Sequence, residues 1–267
     1  MCLPRCAGGW NIKNMEVWNK AAVCKLLWAI TNKKDKLWVR WVDSYYMRGR
    51  DVAGFKCPST MSWSLKKIFG CWHLIESVGG WQAVVKNGAF SIKLMYQKLN
   101  GVHNKVSWRR IVCNNKATPK SLFVLWMALW NRMPTLDRLL QWKIVNVNSC
   151  LMCGSAEETV DHLFFKCSIS SQVWQKVLAL LHFSRPATGF TEEIQWMIKS
   201  SKRGSGRHKL LLMFFSECTY TLWLNRNNKL FNNHCKEAVV LFREVVFRVA
   251  ARAPTDLSDL LTKLSCR

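Results

Sequence analysis

Cys150, Cys153, His162 and Cys167 follow one another as C-x2-C-x8-H-x4-C. Thiolates and imidazole are ligands that suit zinc, and two cysteines separated by two residues aim both sulfurs at one point when the chain turns tightly. Gly154, directly after the second cysteine, permits that turn. Chance would give such an order in roughly one chain in 200 of this size; the alternative is three reduced thiols beside an ordinary histidine. Three sulfurs and one ring nitrogen fill a tetrahedral shell, so the expected ion is a structural Zn2+ with no open position for water. It would close a loop too poor in apolar residues to fold alone, its ligands supplying folding energy. A zinc deaminase orders its motif the other way, and Phe164 stands where its glutamate would be. Glu157 and Glu158, inside the ligand loop, read as a solvated face rather than an acid–base pair.

Basic and aromatic residues interleave just upstream. Lys105, Arg109, Arg110, Lys116, Lys120, Arg132, Arg138 and Lys143 face a single acid, Asp137, over that stretch. Cations neutralise phosphates and exposed rings stack on bases. Trp108 and Trp142, flanked by charge, join the basic residues as candidate nucleic-acid contacts, whereas Trp126 and Trp130 sit on a nearly all-apolar run and read as core.

These residues need elements to hold them, and the pattern predicts a mostly α chain: short helices around a small zinc-stapled module, then a C-terminal helical hairpin. Val23, Leu26, Leu27 and Ile30 recur at helical spacing. Leu37, Trp38, Trp41, Val42 and Tyr45 predict one apolar face of a second helix, and Ser59 or Thr60 a cap for a third. WQAVVK predicts a short strand, with Gly79-Gly80 and Asn87-Gly88 as punctuation. Ser91 caps IKLMYQKL, which ends at Asn100-Gly101. Thr118-Pro119 is a strong helix start, the hydroxyl capping free amides and the proline losing no bond. PKSLFVLWMALWN is expected to be buried on most sides, and Thr135 restarts a short helix. Residues 184–189 and 200–206 read as linkers. Helical patterns over about 207–231 and 236–251 meet at Asn232-Asn233-His234. The expected domains are 1–76, 77–183 and 184–267.

Apolar residues make up 49% of the 267 positions, enough for a core. Lys and Arg number 40 against 16 Asp and Glu, a formal +24. The excess is spread evenly, +9, +8 and +7 over residues 1–75, 76–180 and 181–267, so no single basic tail explains it. Such a chain attracts polyanions, nucleic acid above all. The N-terminus lacks a signal-peptide core, and Leu210–Asn225, which includes Glu217, is too short for a bilayer. No membrane partner is expected. Twelve cysteines then point to an intracellular, reducing compartment, the nucleus included.

The chain resembles the C-terminal part of the reverse-transcriptase polyprotein of plant non-LTR (LINE-type) retrotransposons, centred on its zinc-binding domain. LPRCAGGWNIKNMEVWNKAAVCKLLWAITNKKDKLWVRWVDSYYMRG is similar to the segment after the polymerase core, NGAFSIKLMYQKL to the opening helix, and Trp108 to a solitary tryptophan before the next helix. TPKSLFVLWMALWNRMPTLDRLLQW resembles the family's central run, with Met133 in place of its usual leucine. CLMCGSAEETVDHLFFKCSISSQVW matches the zinc pattern through Glu158-Thr159 and the trailing Trp174. TYTLWLNRNNKLF resembles its late helix, with Asn225 where an acid is common. The resemblance implies a zinc site at Cys150, Cys153, His162 and Cys167, with template RNA, target DNA or the polymerase body as partner.

The polymerase's own chemistry is absent from this sequence: it has no Asp-Asp pair for two metal ions, no ribonuclease H carboxylate set, and GRDVAGFK departs from a phosphate loop at Phe55 and Lys56. The expected function is a non-catalytic, zinc-stabilised nucleic-acid-binding module. The alternative is a structural or protein-interaction remnant of the same polyprotein.

Overall fold

Asn14 opens the first long helix by accepting hydrogen bonds from the amides of Glu16 and Val17 at 3.0 and 3.3 Å, the bonds an N-cap supplies. In the computed structural model, which describes residues 1–265, this helix is α1 (Met15–Thr31). It is followed by α2 (Leu37–Val42), α3 (Trp63–Gly70), α4 (Trp72–Ser77), the strands β1 (Val85–Lys86) and β2 (Ala89–Phe90), and α5 (Ile92–Asn100). α1 packs against α3, α4 and α5 over a core that includes Leu27, Phe69, Ile75 and Met95. Ser91 caps α5 from Leu94 N and Gly101 ends it at φ +74°, as its sequence predicts.

Three expectations in this unit need correction. Of the face expected for α2, Val42 is buried and Trp38 half-buried, but Leu37 and Trp41, and Tyr45 in the turn that follows, are exposed, and Val39 is buried instead. Trp41 and Tyr45 stack on each other at 5.7 Å instead of entering the core. The cap of α3 is Ser62, not Ser59 or Thr60. The expected strand is only two residues long, because Trp81–Ala83 forms a 3-10 turn first; β1 pairs antiparallel with β2 across Asn87-Gly88, both at positive φ, the turn such a dipeptide favours.

The second unit begins at Val106 and the first ends at Lys105, so the expected boundaries after residues 76 and 183 both fall inside a unit. It contains α6 (Arg109–Cys113), α7 (Pro119–Leu129), α8 (Leu136–Gln141), α9 (Ser168–Leu180), α10 (Phe190–Ser200), α11 (Gly206–Asn232), α12 (Ala238–Ala250) and α13 (Thr255–Ser265). The expected hairpin is α11 and α12, and α13 adds a third helix packed on α11. α10 also lies beyond what the sequence suggested. α11 is the spine: it packs against α7, α9, α12 and α13, and residues all round its first half, from Leu210 to Thr219, are buried.

A buried glutamate secures a helix start here. Glu217 Oε1, on α11, accepts from Thr118 N at 2.7 Å and Ser121 Oγ at 2.8 Å, which fixes the first turn of α7. Thr118 Oγ1 accepts from Ser121 N at 3.3 Å, as its capping sequence predicts. α7 buries Leu125 and Trp126 but leaves Phe123 exposed, so it is buried on fewer sides than expected. Among the described residues no helix is long and apolar enough to cross a membrane.

Candidate metal centre

Ser149 and Glu157 form an antiparallel bridge that folds the ligand loop back on itself. Inside it Cys150 N donates to Ala156 O at 2.7 Å, and Gly154 N to Cys150 O at 2.8 Å. Gly154 takes φ +68°, a conformation that costs glycine little and other residues more. The knuckle therefore forms from its own backbone bonds, and it turns both sulfurs inward.

The histidine arrives from a separate turn. Thr159 Oγ1 accepts from His162 N at 3.1 Å, starting a wide helical turn over His162–Lys166. That turn is broken at Phe165, whose φ is +87°. A bulky side chain is strained there. Its ring is buried and packs on Trp174 at 5.0 Å and Phe215 at 5.4 Å, contacts that hold the kink. The kink lets Cys167, at the mouth of α9, face the same point as His162, which agrees with ligands straddling a helix start.

The four side chains converge. Each offers one ligand atom, and all four atoms lie within 4.8 Å of one another. Cys150 Sγ and Cys167 Sγ are 4.0 Å apart, and Cys153 Sγ and His162 Nε2 3.2 Å. A tetrahedral zinc with ordinary Zn–S and Zn–N bonds sets such edges at roughly 3.5–3.8 Å; the edges here spread to either side of that span, and the donor set of three sulfurs and one ring nitrogen fits that ion. Cys150 and Cys167 are buried, Cys153 and His162 half-buried.

The sulfurs are electrostatically unequal. Hydrogen bonding to Cys167, then burial, pushes the Cys150 thiol well above its ordinary range, against backbone amides of Cys153 and Met152. Cys167 is drawn below its ordinary value by the bond from Cys150, against burial, with the amides of Ser170 and Ile169 helping. Of the two buried sulfurs, Cys167 is thus the easier to deprotonate to the thiolate that a metal requires.

Behind the loop stands Glu158, and here the surface expectation is overturned. Glu157 is exposed, but Glu158 is fully buried. Its Oε1 accepts from Leu136 N at 3.1 Å, at the start of α8, and from Arg226 on α11; its Oε2 accepts from Leu151 N at 3.4 Å. One carboxylate ties the ligand loop to two helices. On the other side, Asp161 pairs with Lys166 at 2.5 Å and accepts from Thr191 N at 3.0 Å. Gly189 lies close beside them: a Cβ there would sit 2.4 Å from Lys166 Cε, the far end of a flexible side chain. The sequence reading gave no role to Phe165, and it saw Glu158 and Arg226 only as members of the family pattern, not as partners.

Residues 90–174 match the family model described as zinc-binding in reverse transcriptase. The match supports a zinc-binding, reverse-transcriptase-associated domain over that stretch, and all four converging residues lie within it. No curated protein and no solved structure matches the chain.

The candidate nucleic-acid residues are distributed differently. Lys105 closes the first unit, and the others lie in the second. Lys105, Arg109, Arg110, Lys116, Lys120, Arg132, Trp142 and Lys143 are exposed; Trp108 and Arg138 are half-buried. Trp108 meets Trp130 edge-on at 5.6 Å, and Arg132 lies over the same Trp130 at 5.6 Å. Arg138 covers Trp142 at 5.1 Å and also donates to Asn131 O. Trp126 is core as expected, and Trp130 is half-buried.

Proposed function

We propose that Cys150, Cys153, His162 and Cys167 hold one Zn2+ as a structural staple. The observation that carries this is the convergence of four ligand atoms within 4.8 Å inside the stretch matched by a zinc-binding family. Four protein ligands complete a tetrahedral shell, which supports a non-catalytic centre. The chain binds nucleic acid, RNA or DNA, through phosphate contacts from the basic residues between Lys105 and Lys143; the formal charge of +24 supports this. The sequence resemblance supports derivation from a plant LINE-type retrotransposon polyprotein, with the parent reverse transcriptase body as a further partner and the nucleus as a place of action.

Native mass spectrometry of the full chain tests the first step: one zinc is expected in the wild type and none in Cys153→Ser. A metal-free wild type that keeps its thermal transition would overturn the staple. A salt titration against a labelled oligonucleotide tests the second, since phosphate-driven affinity falls steeply as salt rises; a flat response would overturn it.

Phe231 and Phe247, 76% and 73% exposed, favour a second reading, a protein-interaction remnant that does not bind nucleic acid by itself. Failure to shift any oligonucleotide, together with concentration-dependent association, would select it.

A further inference from the structure

The first unit holds a cavity of about 840 Å3, inside the ~300–1,000 Å3 range of small-ligand sites. Its walls are the loop before α1, the first turn of α1 and one stripe of α5. Ile92, Tyr96 and Asn100 recur every fourth residue along that stripe, with Lys93 and Gln97 beside them, so they share a helix face. Tyr96 Oη accepts from Asn14 N at 3.0 Å, which fastens the loop side of the groove to the helix side.

The lining has a consistent chemistry. Lys13 and Lys93 bring two exposed ammonium groups, and none of the lining side chains is a carboxylate. Trp18 and Tyr96 bring half-buried aromatic faces. Asn11, Gln97 and Asn100 bring carboxamides, which donate and accept in one plane as base edges do. Asn100 is held by a 3.1 Å hydrogen bond between its Nδ2 and the ring Nε2 of His103.

Cations answer a phosphate, rings answer the face of a base, and carboxamides answer its edge. An acidic peptide would meet the lysines and leave the rings and carboxamides unused. An apolar ligand would leave both lysines unused.

We propose that this groove holds a nucleotide of a single strand, with its phosphate on Lys13 and Lys93 and its base against Trp18 and Tyr96. It rests on the reading that the chain binds nucleic acid, and it places a contact in the first unit, outside the stretch from Lys105 to Lys143.

The test uses the full chain and a short labelled oligouridylate at moderate salt. Lys13→Glu/Lys93→Glu is expected to weaken binding about tenfold or more, and the equal-charge control Lys202→Glu/Lys209→Glu by about threefold or less. Photo-cross-linking with 4-thiouridine in the strand is expected to mark peptides containing Trp18 or Tyr96. Equal effects from the two charge reversals, or adducts confined to the second unit, would overturn the groove and leave the nucleic-acid reading standing. Competition by an equally charged acidic peptide as strong as that by the strand would overturn base recognition. Capture of free AMP without strand binding would overturn the strand as its source. A wild type that binds no oligonucleotide would overturn the nucleic-acid reading itself.

Discussion

Arg226 turns its Nε and one Nη toward a single oxygen of Glu158, at 2.9 and 2.7 Å. The residues lie 68 positions apart and are 2% and 0% exposed. Arg226 also stacks over Trp223 at 5.1 Å and donates to Asn227 Oδ1 at 3.1 Å, so the guanidinium has no freedom to follow a lost partner. Two buried charges that satisfy each other become a liability when one is removed.

Glu158→Gln and Arg226→Met should each therefore destabilise the chain by about 3–5 kcal/mol, read from urea denaturation of the zinc-loaded protein. Glu158→Gln should also weaken zinc retention against a chelator, because the Leu151 amide bonded to that carboxylate lies between two ligands. An effect under about 1 kcal/mol would place the pair among those that contribute little.

At Phe165 two costs oppose each other. Alanine there keeps the left-handed backbone and loses the ring; glycine loses the ring and relieves the backbone. Both should fall about 3–5 kcal/mol below the wild type, with glycine the more stable of the two by about 1 kcal/mol. Paired thermal melts decide it, and alanine equal to glycine would mean that the kink carries no strain.

His208 links stability to pH. Burial, then Arg203 and Arg207, holds its ring below the ordinary histidine value, and Nδ1 meets Ser205 Oγ at 2.6 Å. The folded state prefers the neutral ring, so this contribution is complete above the unfolded value near ~6.5 and is lost as pH falls below it. Between pH 7 and 5 the urea midpoint of the wild type should drop more than that of His208→Leu. Parallel curves would remove His208 from the account.

Lys116 and Lys120 flank the start of α7 and are exposed. If both meet phosphates, Lys116→Gln/Lys120→Gln should reduce the slope of log affinity against log salt by roughly 1.4–1.8, with base preference unchanged. An unaltered slope would place the phosphate contacts elsewhere.

What the sequence revealed was local. Thr118-Pro119, Ser91 and the C-x2-C knuckle announce themselves because cap, helix and ligand lie within a few residues. The Glu158–Arg226 pair does not, because its members are far apart in the chain and charged side chains are usually solvated. The same base expectation hid α10, whose Glu193 is fully buried through Arg185 at 2.6 Å and Thr188. On α2 the error ran the other way. Large aromatics were assigned to the interior beside Val42, yet it is Val39 that joins Val42 there, and Trp41 and Tyr45 stack on each other outside.

The position of α11 changes what counts as the smallest self-sufficient body. The family match stops at Trp174, yet the rings that steady the kink beside Cys167 include Phe215, and the countercharge of the ligand loop is Arg226. A premature stop anywhere in residues 175–205 would spare every ligand and abolish the wall they lean on. The recognisable stretch and the buried cluster that supports it end in different places here, the cluster reaching as far as Leu261.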